Sequence, residues 1–598
     1  VKRRGWLPLL ACVLLLAYLP LFGQGFQSED YLLLRWLGEH PPWQEAAGGF
    51  AQPWLGITAV GFYRPVATWI FAGERALFGA TLLGYDLVHW AVHLLNSLLV
   101  FGIARRFGGG GLCAGSAALA FGLFPLAPDA VLFLASFATL FGTLFLLLAL
   151  WLYSRRDGEL SLASTAGVLA ASVAALASYE ATVILPAWLA LGLIWRWPAR
   201  PSQRRVVTLA ACVILVLVYA ALRVRLFGSF LGGYRETASI LSWVEVRSLA
   251  GRGLACLARL GWPLSFAPPH VLRDGAIVLA WMGAVWAALR LPVGPAPGAM
   301  ASRGVALGLI ATVAALAPFA FQPLVPGIGR YAYLAAVAPA LGFGALAGRA
   351  WAPAREGRPR ALARLALVSW SIVWLVALTQ VVAAHRDGRR LARASASALE
   401  QAVARRPGPC YVAGAPWFVS RGGVPYASVL RYGLADSLGP PFGAEKRQVY
   451  PLPPSFAALD LQRVLGAPAC VEEWDEAGSV WVSAPRMATP SIERLTASLD
   501  WNETKATGRV RFDSESLGRH RLVILTRGNA TVVEETAAGV EVPVDFLQTM
   551  ARLYPGEPMV WWLERRDGQG MLLAASEARS LLAVAGSPGL AIPLAIRQ

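Results

Sequence analysis

Two adjacent carboxylates, Glu29 and Asp30, stand just past the first hydrophobic stretch of the chain, in Phe26-Gln27-Ser28-Glu29-Asp30-Tyr31. At a membrane–water boundary such a pair is costly unless it is solvated, paired or metal-bound. A carboxylate placed beside an acceptor hydroxyl can take its proton. The same residues also read as a helix start, with Ser28 as N-cap and two acids favoured by the dipole of the first turn. Arginines and further acids recur downstream in Tyr63-Arg64-Pro65, in Phe124-Pro125-Leu126-Ala127-Pro128-Asp129-Ala130-Val131, in Ser178-Tyr179-Glu180 and in Gly329-Arg330-Tyr331-Ala332-Tyr333. Arginine can hold a phosphate through two parallel N–H bonds and stabilise the charge that gathers on it as it leaves. Asp86, His89 and His93 fall three and four apart, on one face of a helix. That face could bind a metal or form a polar stripe packed against neighbouring helices.

The elements that must position these residues are membrane helices. Of 598 residues, 56% are hydrophobic and 15% charged, against about 25% charged in soluble domains. Nearly uncharged stretches of roughly 17–25 residues, long enough to cross a bilayer, recur up to Ala384. They place spans at 6–23, 85–104, 112–128, 134–153, 162–178, 181–197, 206–226, 271–290, 303–321, 331–348 and 365–384. The net charge of +17 comes almost wholly from Arg, and it sits between the spans rather than on a soluble module, which argues against nucleic acid. The clusters Lys2-Arg3-Arg4, Arg105-Arg106, Arg155-Arg156, Arg196 to Arg205 and Arg349 to Arg364 alternate with the spans as the positive-inside rule requires. This puts the amino terminus in the cytoplasm and the carboxy-terminal tail outside. Segment 244–266, with Arg247, Arg252 and Arg259 at helical spacing, reads as an amphipathic helix in the interface. The first span reads as retained, because Pro20-Leu21-Phe22-Gly23 lacks the small residues of a signal cleavage site.

The expected architecture is therefore an all-α polytopic membrane domain over 1–385, of about eleven transmembrane helices, with outer loops 24–84 and 228–270. A mixed α/β extracytoplasmic domain over 386–598 follows. On this topology Glu29, Asp30, Arg64, Asp129, Glu180 and Arg330 share the outer face, an arrangement suited to a reaction on a charged lipid head group.

In their order, these motifs, together with Gly84-Tyr85 through His93 and Asn96, resemble the membrane portion of the tetratricopeptide-containing protein O-mannosyltransferases. More broadly they resemble bacterial members of the GT-C superfamily of integral-membrane glycosyltransferases. The resemblance spans residues 1–385. It implies a polyprenyl-phosphate-linked sugar donor, a site at the outer face of a bacterial inner membrane, and inverting transfer to a glycan, lipid or protein acceptor hydroxyl. It makes the acid of the first outer loop, Glu29 or Asp30, the catalytic base. On this reading Arg64, Arg330, Tyr63 and Tyr331 hold the donor phosphate and lipid, and Asp129, Glu180 and His93 support the site. No cofactor is expected: oligosaccharyltransferases of the superfamily use a divalent metal, but the mannosyltransferase-like relatives do without one. The chain departs from the family in having Glu29 where the first acid is usually Asp, Phe124-Pro125 in place of His-Pro, and Tyr179-Glu180 in place of Lys-Glu. No 34-residue helical period follows the last span.

The tail opens with an Arg/Ala-rich helix over about 387–405. Short strands then follow around Val510 and Phe512, Leu522 to Leu525, Val532-Val533 and Val540 with Val542, and a hairpin turns through Arg565-Arg566-Asp567-Gly568-Gln569-Gly570 between Trp561-Trp562-Leu563 and Met571-Leu572-Leu573. Cys410 and Cys470 could form a disulfide in an oxidising compartment; Cys12, Cys113, Cys212 and Cys256 read as apolar fillers. The rival readings are a transporter or flippase of lipid-linked sugars, for which matched halves with broken helices are missing, and a non-catalytic GT-C relative acting in assembly.

Overall fold

A computed structural model of the chain describes residues 5–228 except 41, 55–60, 108, 156–158 and 196–201. It also describes scattered positions in 254–260, residues 272–279, 328–352 and 358–404, and 408–597 with short gaps. Helices α1 (Trp6–Tyr18), α2 (Glu29–Glu39), α3 (Pro42–Gly48), α4 (Pro65–Phe78), α5 (Leu82–Arg106), α6 (Gly111–Gly122) and α7 (Ala127–Val131) are followed by α8 (Phe137–Tyr153) and α9 (Leu162–Leu176). Next come α10 (Leu185–Trp195), α11 (Gln203–Phe227), α12 (Ile328–Ala335), α13 (Val337–Ala350) and α14 (Arg358–Ala404).

Among the described residues, four helices are long and apolar enough to cross a bilayer: Leu82–Arg106, Leu134–Tyr153, Gln203–Phe227 and Arg360–Ala404. The 25 residues of α5 and of α11 extend about 38 Å at 1.5 Å per residue, beyond the hydrocarbon core of about 30 Å. The exposed faces of these helices are greasy. In α11, Val206, Val207, Ile214, Leu217 and Val218 point outward, while Cys212, Tyr219 and Arg223 turn inward. Lipid accepts that outward face at no cost, whereas water would not. Shorter apolar helices occupy Trp6–Leu21, Gly111–Gly122, Leu162–Leu176 and Glu180–Ile194. A fifth candidate span is the pair Gly329–Ala335 and Val337–Ala350, bent by 53°. Pro339 accounts for the bend: it has no N–H to return to the carbonyl of Ala335, and its ring crowds that carbonyl. The spans expected at 271–290 and 303–321, the interfacial helix over 244–266 and loop 228–270 lie largely outside the described residues.

The helix does not break at the expected boundary between 385 and 386: α14 runs across it unbroken for 47 residues, about 70 Å. The expected Arg/Ala-rich helix is thus the upward continuation of the last apolar span. The charges where polarity rises do not end the helix because Arg389, fully buried, is neutralised by Asp86 of α5. Its guanidinium makes contacts of 3.0–3.1 Å to both carboxylate oxygens and donates 2.8 Å to the Leu21 carbonyl, and also to that of Leu132.

Beyond α14 the chain turns to strands. Parallel β1 (Cys410–Ala413), β4 (Val449–Pro451) and β5 (Cys470–Asp475) are edged by antiparallel β6 (Val480–Ser483) in the order β4-β1-β5-β6. Between β1 and β4 lies a ribbon of β2 (Phe418–Arg421) and β3 (Val424–Ser428) that packs against α14. Cys410 and Cys470 are register partners on β1 and β5; the side chain of Cys470 is outside the described residues. A second, largely antiparallel sheet contains the strands Arg519–Leu525, Ala530–Glu534, Met559–Arg566 and Leu572–Ser576. The expected hairpin is there, with Met571 donating to the Asp567 carboxylate at 2.8 Å.

Removing one member of a fully buried ion pair leaves the other charge stranded, a loss of about 3–5 kcal/mol. Arg389→Ala is accordingly expected to lower the unfolding temperature of the purified protein sharply. Arg389→Met combined with Asp86→Leu should recover most of the loss. Equal stability of Arg389→Ala and wild type would show that the pair is not holding α14 to α5.

Candidate functional site

The Phe26–Asp30 turn is fixed from three sides. Asp30 is fully buried, and its carboxylate accepts the backbone N–H of Gln27 at 3.1 Å and that of Ala135 at 3.0 Å. Those bonds pin the start of α2 to the 3-10 turn Leu134–Ser136 that leads into α8. Burial pushes the Asp30 carboxyl up to about 8, against the pull of Arg389 and the two backbone donors. Ser28 does occupy the N-cap position, but its side chain does not cap α2. Its backbone sits at φ 47°, a region that β-carbon-bearing residues rarely adopt. Its N–H instead donates to the Val429 carbonyl at 2.7 Å, and its Oγ accepts the N–H of Tyr432 at 3.3 Å. Gly433, at φ +78°, completes this seat: a Cβ there would lie 2.4 Å from the Ser28 carbonyl oxygen. Phe442 closes it, stacked edge-on against Phe26 and Tyr31 at 5.1 and 4.9 Å.

Glu29 is different. Its side chain is half-buried, and its Oε2 is shielded from solvent with no hydrogen-bond partner among the described residues. The neighbouring Gln27 carboxamide is fully buried, and neither its nitrogen nor its oxygen is bonded. Native proteins rarely leave such groups unsatisfied, and where they do the cause is often function or an absent ligand.

Asp129 on α7 lies within electrostatic reach of Glu29, and its Oδ2 accepts the backbone N–H of Arg330 at 2.9 Å. Burial lifts its carboxyl to about 6, with Arg330 opposing. Gly329 makes that approach possible, because a Cβ there would lie 2.6 Å from the Leu126 carbonyl oxygen and 2.7 Å from the Asp129 Cβ. The Arg330 guanidinium lies 5.4 Å from the Phe133 ring and 5.3 Å from that of Tyr331. Tyr331 is in turn within electrostatic reach of Arg64 and Tyr179.

Arg64 is engaged. Its Nε and Nη2 meet the Glu180 carboxylate at 3.0 Å each, and its guanidinium lies 3.9 Å from the centre of the Phe62 ring. The Tyr63 hydroxyl donates to the Phe50 carbonyl at 3.1 Å. The stripe of Asp86, His89 and His93 is built into the bundle. His89 meets Glu74 at 3.3 Å, and His93 meets the Tyr333 hydroxyl at 2.7 Å and the Gly122 carbonyl at 2.9 Å. Among the described residues, no group of three or more His, Cys, Asp or Glu side chains converges as a metal would require.

The structure therefore gathers Glu29, Asp30, Asp129, Arg330 and Tyr331 at one end of the bundle, with the Arg64–Glu180 pair alongside. His93 is fixed in the bundle interior among Tyr18, Phe121 and Tyr333. Sequence reasoning missed the contribution of the tail. No motif marks the segment Val429 to Gly433, and only the fold carries it to Ser28.

The described helices and strands make this a multi-pass membrane protein with a strand-rich carboxy-terminal part. No protein-family model matches the sequence, and no curated protein matches it. Among solved structures the chain is similar to ArnT from Cupriavidus metallidurans, crystallised with undecaprenyl phosphate. The two share 16% identity and a TM-score of 0.39, with 80% of this chain and 94% of that one covered.

The Arg64–Glu180 pair is bidentate and largely shielded, so its partners should prove strongly coupled. Arg64→Lys loses the fork, and Glu180→Gln loses the charge. The double variant is expected to be no less stable than the worse single one, a coupling of about 1.5–3 kcal/mol. Strict additivity in thermal or denaturant unfolding would contradict it.

Proposed function

We propose that the chain is an integral-membrane glycosyltransferase. It would move a sugar from a polyprenyl-phosphate-linked donor to an acceptor hydroxyl at the outer membrane face. The observation that carries this reading is the Glu29 carboxylate: shielded, with an oxygen that no described protein group bonds, and within reach of Asp129 and, through it, of Arg330. The resemblance of the motif order in residues 1–385 points the same way.

In this reading Glu29 is the base. Asp30 is fully enclosed, and both its oxygens are taken by backbone donors, so it positions the turn rather than meeting an acceptor. Glu29 takes the proton of the acceptor hydroxyl as its oxygen forms a bond to the anomeric carbon. The bond from that carbon to the phosphate oxygen breaks, and its electron pair leaves on polyprenyl phosphate, which inverts the sugar. Arg330 is the cation best placed to receive that charge. Arg64, held by Glu180, braces the neighbouring loop. Asp129 orients Arg330 through its backbone N–H. The donor sugar and the acceptor are not specified by these residues.

The test is release of polyprenyl phosphate by the purified protein from a panel of lipid-linked sugars. Glu29→Gln is expected to fold normally and lose transfer by about 10²–10⁴-fold, the span of general base catalysis. Asp30→Asn, which sets an amide N–H against a backbone N–H, is expected to lose about 1–3 kcal/mol of stability. Full turnover by Glu29→Gln would remove the base assignment, and no release from any donor would remove the transfer reading.

A further inference from the structure

The segment after β3 does more than pack. Val429 and Tyr432 are hydrogen-bonded to Ser28, one residue before Glu29, so the side chains between and beside them are delivered to the charged end of the bundle. Arg431 and Tyr432 are both half-buried there. The Arg431 guanidinium lies 4.9 Å from the Tyr432 ring centre and 5.6 Å from that of Phe418. Among the described residues no carboxylate forms an ion pair with it. Tyr432 is within electrostatic reach of Glu29 and of Arg330. Arg431 also hydrogen-bonds the Tyr432 hydroxyl, which leaves its other N–H groups to meet a phosphate oxygen and orients the phenol beside them.

We propose that Arg431 and Tyr432 of the tail form, together with Arg330 of the membrane part, a binding site for a phosphate group beside Glu29. Arg431 supplies the fork, and the Tyr432 phenol supplies an O–H donor. Burial raises the Tyr432 phenol above its ordinary value, so it stays protonated and able to donate at physiological pH. The unbonded Glu29 Oε2, within electrostatic reach of Tyr432, then lies on the side of the phosphate's substituent, where a polar hydroxyl would satisfy it. That this phosphate belongs to a lipid-linked sugar donor rests on the transfer reading. The phosphate site itself does not, and inorganic phosphate and a polyprenyl phosphate share the chemistry it recognises.

The experiment uses the full chain in lipid nanodiscs and two probes, polyprenyl phosphate and inorganic phosphate, with binding followed by intrinsic tryptophan fluorescence. Arg431→Ala is expected to weaken binding about tenfold and Tyr432→Phe about threefold, as loss of a charge-assisted and of a neutral hydrogen bond predicts. Arg431→Lys should fall between wild type and Arg431→Ala. Arg386→Ala, which removes an exposed cation paired with Asp387 elsewhere on α14, should bind as wild type does. Tyr432→Phe keeps the ring, so its unfolding temperature should match wild type and separate lost binding from lost folding. If wild type binds polyprenyl phosphate and both variants bind it equally well, the tail site is overturned while the transfer reading stands. If inorganic phosphate binds in an Arg431-dependent way but the lipid does not, the site is supported and the lipid-donor reading falls. If neither probe binds wild type, the site is overturned.

Discussion

The contact on which the rest depends is the ion pair between Arg389 and Asp86, in a position where neither charge meets water. Asp86 also accepts the N–H of Gly23 at 2.8 Å, and Arg389 also holds the carbonyls of Leu21 and Leu132. Four separate pieces of chain thus meet at one guanidinium–carboxylate pair: the end of the first apolar segment, α5, the turn before α8, and α14. An isolated charge in that setting would be prohibitively unfavourable. Both terminal guanidinium nitrogens and both carboxylate oxygens are used in one geometry, so the pair fixes where the chain must go on either side of it. The Phe22–Asp30 segment leaves this hub and reaches the candidate site within a few residues. Arg389 also pulls on Asp30, opposing the burial that raises its carboxyl.

A second buried network does for the tail what the first does for α14. Arg35 on α2 meets Asp436 at 2.5 Å, pairs with Glu39, and donates to the Leu553 carbonyl at 3.0 Å. Asp436 in turn accepts the Tyr554 hydroxyl at 2.8 Å. The helix that begins with Glu29 and Asp30 is therefore bonded through its N-cap Ser28 to Val429 and Tyr432, and through Arg35 two turns on to Asp436 and Leu553, with the Tyr554 ring 4.9 Å from that guanidinium. The apolar contacts agree: the main core cluster joins Phe26, Tyr31 and Leu34 to Leu430, Leu434 and Leu438. The tail and the membrane helices share one interior.

What was legible in the sequence follows from the range of each signal. Hydropathy is a local property, and the expected spans whose residues are described each contain an apolar helix. The clustering of Asp129, Arg330 and the Glu29-Asp30 turn was readable because each residue abuts the end of a span on the same side of the alternating charge pattern. Two features were not legible. The polar face of α5 admitted a metal or a packed stripe, and only the partners Arg389, Glu74 and Tyr333, 15 to 303 residues away, decide for the stripe. The domain boundary at 385 followed hydropathy, which falls there, but helix continuity is decided by backbone hydrogen bonding. No proline interrupts 361–404, and Gly388, which backs onto Ala427 and Ser428, is tolerated within a helix.

The networks also bear on how anything reaches Glu29. Lifting the tail would break the pair between Arg35, 4% exposed, and Asp436, 0% exposed, leaving Arg35 with Glu39 alone, and would strip Ser28 of its two hydrogen bonds to the tail. A site roofed in this way excludes water from the region where its charged groups act, and charges act more strongly there than in solution. On the proposed transfer reading, a donor carried on a lipid chain would enter from a direction the tail does not cover. The same rigidity accounts for Ser28 at a positive φ: the Val429 carbonyl holds its N–H and the Tyr432 N–H holds its Oγ, so the strain there sits directly before Glu29 and is fixed by the tail.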